Sequence, residues 1–359
     1  MMDVLPCILG HLPLQAVGHL RQTCRLLRRY PCILAAAGHA RDGHQTRPRA
    51  KGFLDAPGGI AFLLSLPRIT SVSMRGTTRS LFGLHRLQSL QNISVSCADG
   101  LDLRPLTELP ALRSLEARFS SANVGYHLEE LTQLTSLSFS GLCPDAISQL
   151  TNLQKLSLRN TYDADFQLER LCQLTELSGP ITVCDQRLAA LPLSRLHLRA
   201  DHVDSIETRL IHLSRISSLT ALTLQSSASQ REEDADLSDL DALPGLQALR
   251  LKFCFPDGAL SLPALTSLSI HSAHRACRLP DAQDCTSLQN LHFFSVCRTF
   301  VISAAHLPPF SPARPLHIRH ASTQSGCVAL HSDLIQQHRL REGLCVEEWT
   351  GTWDNEPIF

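Results

Sequence analysis

The sequence predicts an α/β fold, a right-handed solenoid with a parallel sheet along its concave side, preceded by a small all-α domain. Two observations predict the solenoid. Residues 150–160, LTNLQKLSLRN, carry leucines at 150, 153, 156 and 158, a three-residue step followed by a two-residue alternation, which is a bend feeding a short strand. The same spacing recurs twelve times, with Val72, Ile93, Leu115, Leu137, Leu156, Leu177, Leu196, Leu222, Leu249, Leu268, Leu291 and Leu316 at its third position, 19 to 27 residues apart. A third observation predicts the added domain: residues 3–30 lack the repeat and place apolar side chains at helical spacing.

A single unit cannot bury its own leucines, so the copies must stack. The repeat resembles the leucine-rich-repeat family, most fully at residues 144–158, PDAISQLTNLQKLSL, which follow that family's P-x-x-I-x-x-L-x-x-L-x-x-L-x-L unit. The resemblance spans about three quarters of the chain and implies a solenoid that binds other proteins along its strands. Three residues after the last strand leucine the family carries Asn or Cys. Here the copies have Thr77, Ala98, Ser120, Leu142, Thr161 and once Cys254, so Ser and Thr hydroxyls are expected to satisfy part of the buried turn backbone.

Taken in order, the chain divides into a helical domain at 1–45, a Gly- and Pro-rich linker at 46–59, the repeats at 60–322, and a closing cap and tail at 323–359. The helical domain resembles the F-box family. Ile8, Leu9, Leu12 and Pro13 match the motif I-L-x-x-L-P, and Leu20, Arg21, Cys24, Arg25, Arg28 and Arg29 match L-R-x-V-C-R-x-W-R-R, with Leu27 in place of the tryptophan. The opening L-P-x-E is compressed to Leu5-Pro6-Cys7, a shortened start. The resemblance implies that Leu5, Pro6, Ile8, Leu9, Leu12 and Pro13 dock the Skp-type adaptor of a cullin-RING ubiquitin ligase, in the cytoplasm or nucleus. Two other readings stand beside it. The helices can cap the first hydrophobic layer of the stack, or the arginine-rich first 54 residues, with only Asp3 and Asp42 acidic, can be an organelle transit peptide.

Within the repeats, intervals of 19 to 22 residues leave room for little more than a turn opposite each strand. The two long intervals, ending at Leu222 and Leu249, predict helices over residues 203–214 and within the acidic run REEDADLSDLDALP. That run lacks the glycine and distal glutamate of a calcium loop, and reads as a solvated segment in which Asp236 or Ser238 caps a helix. His271, His274, Cys277 and Cys285 are the nearest approach to a metal-ligand set, but Cys285 holds a first-leucine position and is committed to the core. Residues 327–340 predict a closing helix, and residues 344–349 a last short strand.

Thirteen scattered cysteines without a CxxC pair predict thiols in a reducing compartment, most of them core filler. No nucleophile elbow, phosphate loop, HExxH or dinucleotide fingerprint occurs, so no catalytic residue, metal or cofactor is expected. Lys and Arg balance Asp and Glu at 33 each, and no apolar window reaches about 18 residues, so neither nucleic acid nor membrane is an expected partner.

The alternation locates the binding residues. Side chains flanking the inward strand leucines must point outward, and those after the last leucine form the column Arg75, Ser96, Arg118, Ser140, Arg159, Pro180, Arg199, Gln225, Lys252, His271, Phe294, Arg319. Six of the twelve are basic, counting Arg and Lys, and none is acidic. The preceding column is hydroxylic at Ser73, Ser94, Ser138, Ser157, Thr223 and Ser269, and is interrupted by Glu116, His197, Arg250, His292 and His317. The expected target-binding residues are therefore Arg75, Arg118, Arg159, Arg199, Lys252, His292, Phe294 and Arg319, facing an acidic or phosphorylated protein segment. Two functions follow: substrate-recognition subunit of a Skp-cullin-F-box ligase, or a non-enzymatic interaction scaffold with no ligase role.

Overall fold

The computed structural model describes residues 49–51, 69–75, 81, 83–97, 102–119, 127–140, 144–159, 167–200, 204–226, 233–256, 259–272, 277–278, 281–295, 300–301, 307–308, 315–322 and 344–348. The adaptor-docking residues Leu5, Pro6, Ile8, Leu9, Leu12 and Pro13, and the closing helix at 327–340, lie outside them. The chain divides into two compact units, Met1–Gln173 and Leu174–Phe359.

The first unit holds β1 (Arg49–Lys51), β2 (Ser71–Arg75), β3 (Asn92–Cys97), β4 (Ser114–Phe119), β5 (Ser136–Ser140) and β6 (Lys155–Arg159). Each pairs in parallel with the next, and the register sets Val72, Ile93, Leu115, Leu137 and Leu156 side by side. β1 falls within the segment read as a linker. The second unit holds β7 (Glu176–Pro180), β8 (Arg195–Ala200), β9 (Ala221–Ser226), β10 (Glu233–Ala235), β11 (Ala248–Lys252), β12 (Cys254–Pro256), β13 (Ser267–Ser272), β14 (Cys277–Arg278), β15 (Asn290–Ser295), β16 (Phe300–Val301), β17 (Leu316–Ser322) and β18 (Leu344–Glu348). Its main sheet runs β7-β8-β9-β11-β13-β15-β17-β18, all parallel. β10 with β12, and β14 with β16, form two small parallel ladders beyond it. Each unit is thus a stack of parallel strands joined by short returns, with its leucines turned inward.

The repeat spacing explains the core. Leu150, Leu153 and Leu158 are fully buried and Leu156 is 2% exposed, so one repeat sends four side chains inward. Full burial of each contributes about 1.5–3 kcal/mol, available only when a neighbouring layer covers it. The turns before most strands of the main sheet are held by a second ladder, in which one carbonyl serves two N–H groups of the next repeat. The Ser194 carbonyl accepts from Thr220 N at 2.9 Å and Ala221 N at 3.0 Å, and also from the Thr220 hydroxyl at 3.0 Å. Thr135, Ser194 and Thr266 donate in the same way to Arg113, Thr175 and Gln247. Hydroxyls therefore do support the turn backbone, but ahead of the strand. The positions expected for them, Thr77, Ala98, Ser120, Leu142 and Thr161, lie outside the described residues.

The returns are short, as the intervals require. Among the described residues most are single 3-10 turns, with α1 (Arg104–Thr107) and α2 (Pro144–Ser148) barely longer. The long interval before β9 holds α3 (Asp204–Leu213), within the predicted span of 203–214. Ile206, Leu210 and Leu213 bury one stripe of it, spaced four and three residues apart.

Two expectations are corrected. The acidic run forms no α-helix; it supplies β10 and a 3-10 turn at Ser238–Ala242. The Asp236 carboxylate accepts the Ser238 N–H at 3.0 Å, and the Asp236 N–H itself donates to Glu207 of α3 at 2.8 Å. These bonds hold the backbone in a local turn that competes with helix. In the last repeat, Ile318 rather than Leu316 lies opposite Leu291. Both side chains are fully buried, so alternation alone left two registers open, and the observed one shifts every later residue by two.

Candidate functional site

The outward side chains differ between the units. On the first unit Ser94, Glu116, Ser138 and Ser157 stand in register on β3 to β6. Glu116 receives the Ser94 hydroxyl at 2.8 Å and forms an ion pair with Arg118, two residues along its own strand. Arg118 and Arg159 flank Ser140 on alternate strands, about 10 Å apart at ordinary strand spacing. One of these two cations is therefore already neutralised.

The second unit gathers positive charge instead. Across β8, β9, β11, β13 and β15 the register aligns His197, Thr223, Arg250, Ser269 and His292 in one row, and Arg199, Gln225, Lys252, His271 and Phe294 in the next. No outward position of these five strands carries a carboxylate. On β7, beside β8, Glu176 bonds Arg195 at 3.1 Å. This face is also the more enclosed. Arg250 is 5% exposed, His271 7%, and Thr223 and Ser269 3% each.

Burial and positive charge together hold the histidines neutral at pH 7. Burial first, then Lys252, Arg250 and His292, pushes His271 down to about 3. Burial first, then Lys252, with Arg199 and Arg250 adding, pushes His197 down to about 4 against a raising hydrogen bond from Gln225. His197 Nε2 is buried without a hydrogen-bond partner among the described residues, and the His271 ring lies 3.4 Å from the Ser269 hydroxyl. A face of this kind can receive an oxyanion: fixed cations supply charge, and hydroxyls and imidazoles supply directional bonds.

The predicted residues fall on both units. Arg75, Arg118 and Arg159 lie on β2, β4 and β6 of the first, and Arg199, Lys252, His292, Phe294 and Arg319 on β8, β11, β15 and β17 of the second. The structure brings Arg199, Lys252 and His292 onto the one cationic face. Arg319 is corrected: it stands opposite His292, and Ala321 stands opposite Phe294, because of the shifted register of β17. The side chains of Arg75, Phe294 and Arg319 lie outside the described set. Arg250, His197 and His271 belong with the site but were not among the expected binding residues. Alternation did mark them as outward-facing; what the sequence lacked was any sign that outward residues there would be enclosed.

Of the four residues nearest to a metal-ligand set, His274 and the side chain of Cys277 lie outside the described residues. His271 faces outward from β13, whereas Cys285 is fully buried with its thiol donating to the Leu260 carbonyl at 3.3 Å. Among the described residues, His127, Glu129 and Glu130 come close enough to share an ion, at the surface of the first unit. His127 Nδ1 and Glu130 there are already bonded to each other at 2.7 Å. Cys184 and Cys285 are buried as core filler should be, and burial pushes the Cys184 thiol up to about 12; Cys172 is exposed. Among the described residues no helix is long and apolar enough to cross a membrane.

No protein-family profile matches the chain, and no curated protein matches it in sequence. Several solved structures are similar to it at low identity. A leucine-rich-repeat protein of Leptospira interrogans is 17% identical over 81% of each chain, with a TM-score of 0.48. Internalin C2 of Listeria monocytogenes is 19% identical over 54% of this chain and 76% of its own, with a TM-score of 0.32. The functional domain of InlJ from the same organism is 17% identical over 73% and 71%, with a TM-score of 0.37.

Proposed function

We propose that this chain is a target-recognition protein that holds a protein segment against the outward face of the second unit, and that residues 3–30 join it to the Skp-type adaptor of a cullin-RING ubiquitin ligase. The recognition half is carried by one observation: five neighbouring strands present Arg199, Arg250 and Lys252 on a face with no carboxylate of its own. Such a face favours an acidic or phosphorylated segment over a neutral one, because the segment supplies the charge the strands lack. The ligase half is supported by the stretches ILGHLP and LRQTCRLLRR, which come before the repeats as an adaptor-binding module would.

The test is capture of a purified Skp-type adaptor by the full chain, read beside the Leu12→Ala, Pro13→Ala double variant. Capture by wild type and loss in the variant, with circular dichroism unchanged, is the expected result. Failure of wild type to capture any adaptor overturns the ligase half and leaves an interaction scaffold with no ligase role. The recognition half is tested separately, by binding of captured partners to an Arg199→Glu, Lys252→Glu variant.

A further inference from the structure

The cationic face has a finer chemistry than attraction to acid. We propose that it is a proton-linked phosphate site, in which Arg250, Lys252 and Arg199 hold a phosphate monoester on the bound segment while His271 and His197 take up protons as it enters. This rests on the reading of the face as the target-binding surface, and adds which anion it takes and how pH controls the binding.

Three observations lead there. The cations are concentrated: Lys252 stands directly opposite His271 on β13, and Arg250 opposite Ser269. Adjacent strands are about 4.8 Å apart, so a single tetrahedral oxyanion spans the two strands and meets both rows. Hydroxyls and imidazoles alternate with the cations, which suits an anion with three acceptor oxygens and near-double charge better than a carboxylate with two oxygens and one charge. Finally, the imidazoles are held neutral by the same positive charges that an incoming dianion would offset. Removing that repulsion, and offering an acceptor to His197 Nε2, favours the protonated ring, so binding and proton uptake promote each other.

The groups around each ring come from its own strand and from the strands beside it. His271 is faced by Arg250 and Lys252 from β11, by His292 from β15 and by Ser269 from its own strand. His197 is faced by Thr223 and Gln225 from β9, by Lys252 and Arg250 from β11, by Ser178 from β7, and by Arg195 and Arg199 from its own strand, with Glu176 engaged by Arg195. The 3-10 turn Ile181–Val183, packed on β8, brings no charge. A nucleic acid is the less suited polyanion, since Phe294 is the one aromatic position in these rows and bases need stacking platforms.

The experiment titrates the full chain with inorganic sulfate, whose charge is constant from pH 5 to 8, and measures heat in two buffers of different ionisation enthalpy so that proton uptake is counted directly. The expected result is net proton uptake and affinity that strengthens on the order of threefold to tenfold for each unit the pH falls below 6. The His271→Gln, His197→Gln variant should flatten that dependence, and Lys252→Met should weaken sulfate at every pH, with both variants checked for native circular dichroism. Sulfate affinity that is independent of pH, or equal in Lys252→Met, overturns the site. A second arm compares one acidic peptide in phosphoserine and serine forms with a single-stranded RNA of equal charge. Preference for the phosphopeptide is expected; tighter RNA binding that Lys252→Met abolishes overturns the assignment to protein. If sulfate behaves as expected but captured protein partners ignore Lys252→Met, the anion site stands and the reading of this face as the target surface fails.

Discussion

The two units use one scaffold to present opposite surfaces. In the first, the outward row is Ser94, Glu116, Ser138 and Ser157, and its carboxylate ties down Arg118. In the second, the same row reads His197, Thr223, Arg250, Ser269 and His292 on β8, β9, β11, β13 and β15, and none of those five strands carries a carboxylate. The inward side chains are interchangeable between the units and the outward ones are not. The architecture is therefore set by one alternate set of positions and recognition by the other, which lets each be changed without the other.

The sharpest test of that separation uses aspartate. Leu156→Asp in the first unit and Leu249→Asp in the second each bury a carboxylate where a leucine is at most 2% exposed, and each should cost about 3–5 kcal/mol by chemical denaturation. Ser157→Asp, one position along, should change stability by no more than about 0.5 kcal/mol. Similar midpoints for Leu156→Asp and Ser157→Asp would show the inward and outward sets to be wrongly assigned.

Acid should separate the units next. The folded state holds His197 and His271 below their ordinary value, so the unfolded chain takes up protons first as pH falls. Their contribution is intact above about pH 6.5, and is lost below it at up to about 1.4 kcal/mol per pH unit for each ring, levelling off as pH passes about 4 and then about 3. Hydrogen exchange between pH 7.5 and 5 should show protection falling in β8, β9, β11 and β13 while β4 and β5 hold. Replacing both rings with glutamine should remove the difference, and equal loss of protection in both units would break the comparison.

Much of this was legible in the sequence. The strands sit where the leucine spacing put them, because a period that ends in strict alternation has few ways to be buried. Residues 203–214 were readable as a helix because that interval alone combined enough length with an apolar stripe. The acidic run was not, since the same aspartates that cap a helix also close a turn, and Glu207, far away in sequence, decided which. Leu316 and Ile318 were ambiguous for a simpler reason: both are apolar and two apart, so either fits the register. Of the candidate site, the outward columns were visible, but the pairing of Arg118 with Glu116 and the enclosure of Arg250 depend on side-chain directions that spacing does not encode.

The shared scaffold also predicts equal small losses. Thr135 and Thr220 donate to the carbonyl of the preceding repeat in the first and second units, at 3.2 Å and 3.0 Å. Valine keeps the shape at either position and removes the donor, so each substitution should cost about 0.5–1.5 kcal/mol. Denaturation midpoints should shift alike. A much larger loss at one of the two would mean that the ladder is not the common support it is taken to be.

The smallest effect on stability carries the most information about the difference in surface. Glu116→Gln removes the one carboxylate from the outward row of β3 to β6 while keeping an oxygen that can accept the Ser94 hydroxyl. Arg118 is 45% exposed, so losing this ion pair should change stability by less than about 1 kcal/mol. What should change is binding: with Glu116 neutral, Arg118 is released toward solvent with Arg159 two strands away, and the first unit should gain a weak sulfate site that Arg118→Met removes again. That site should lack proton uptake, because no histidine stands in the row between β3 and β6. If Glu116→Gln gains no sulfate binding, neutralisation is not what silences the first unit. The enclosure of Arg250 would then matter more than the missing carboxylate, since a cation held out of water attracts an anion more strongly than one left in it.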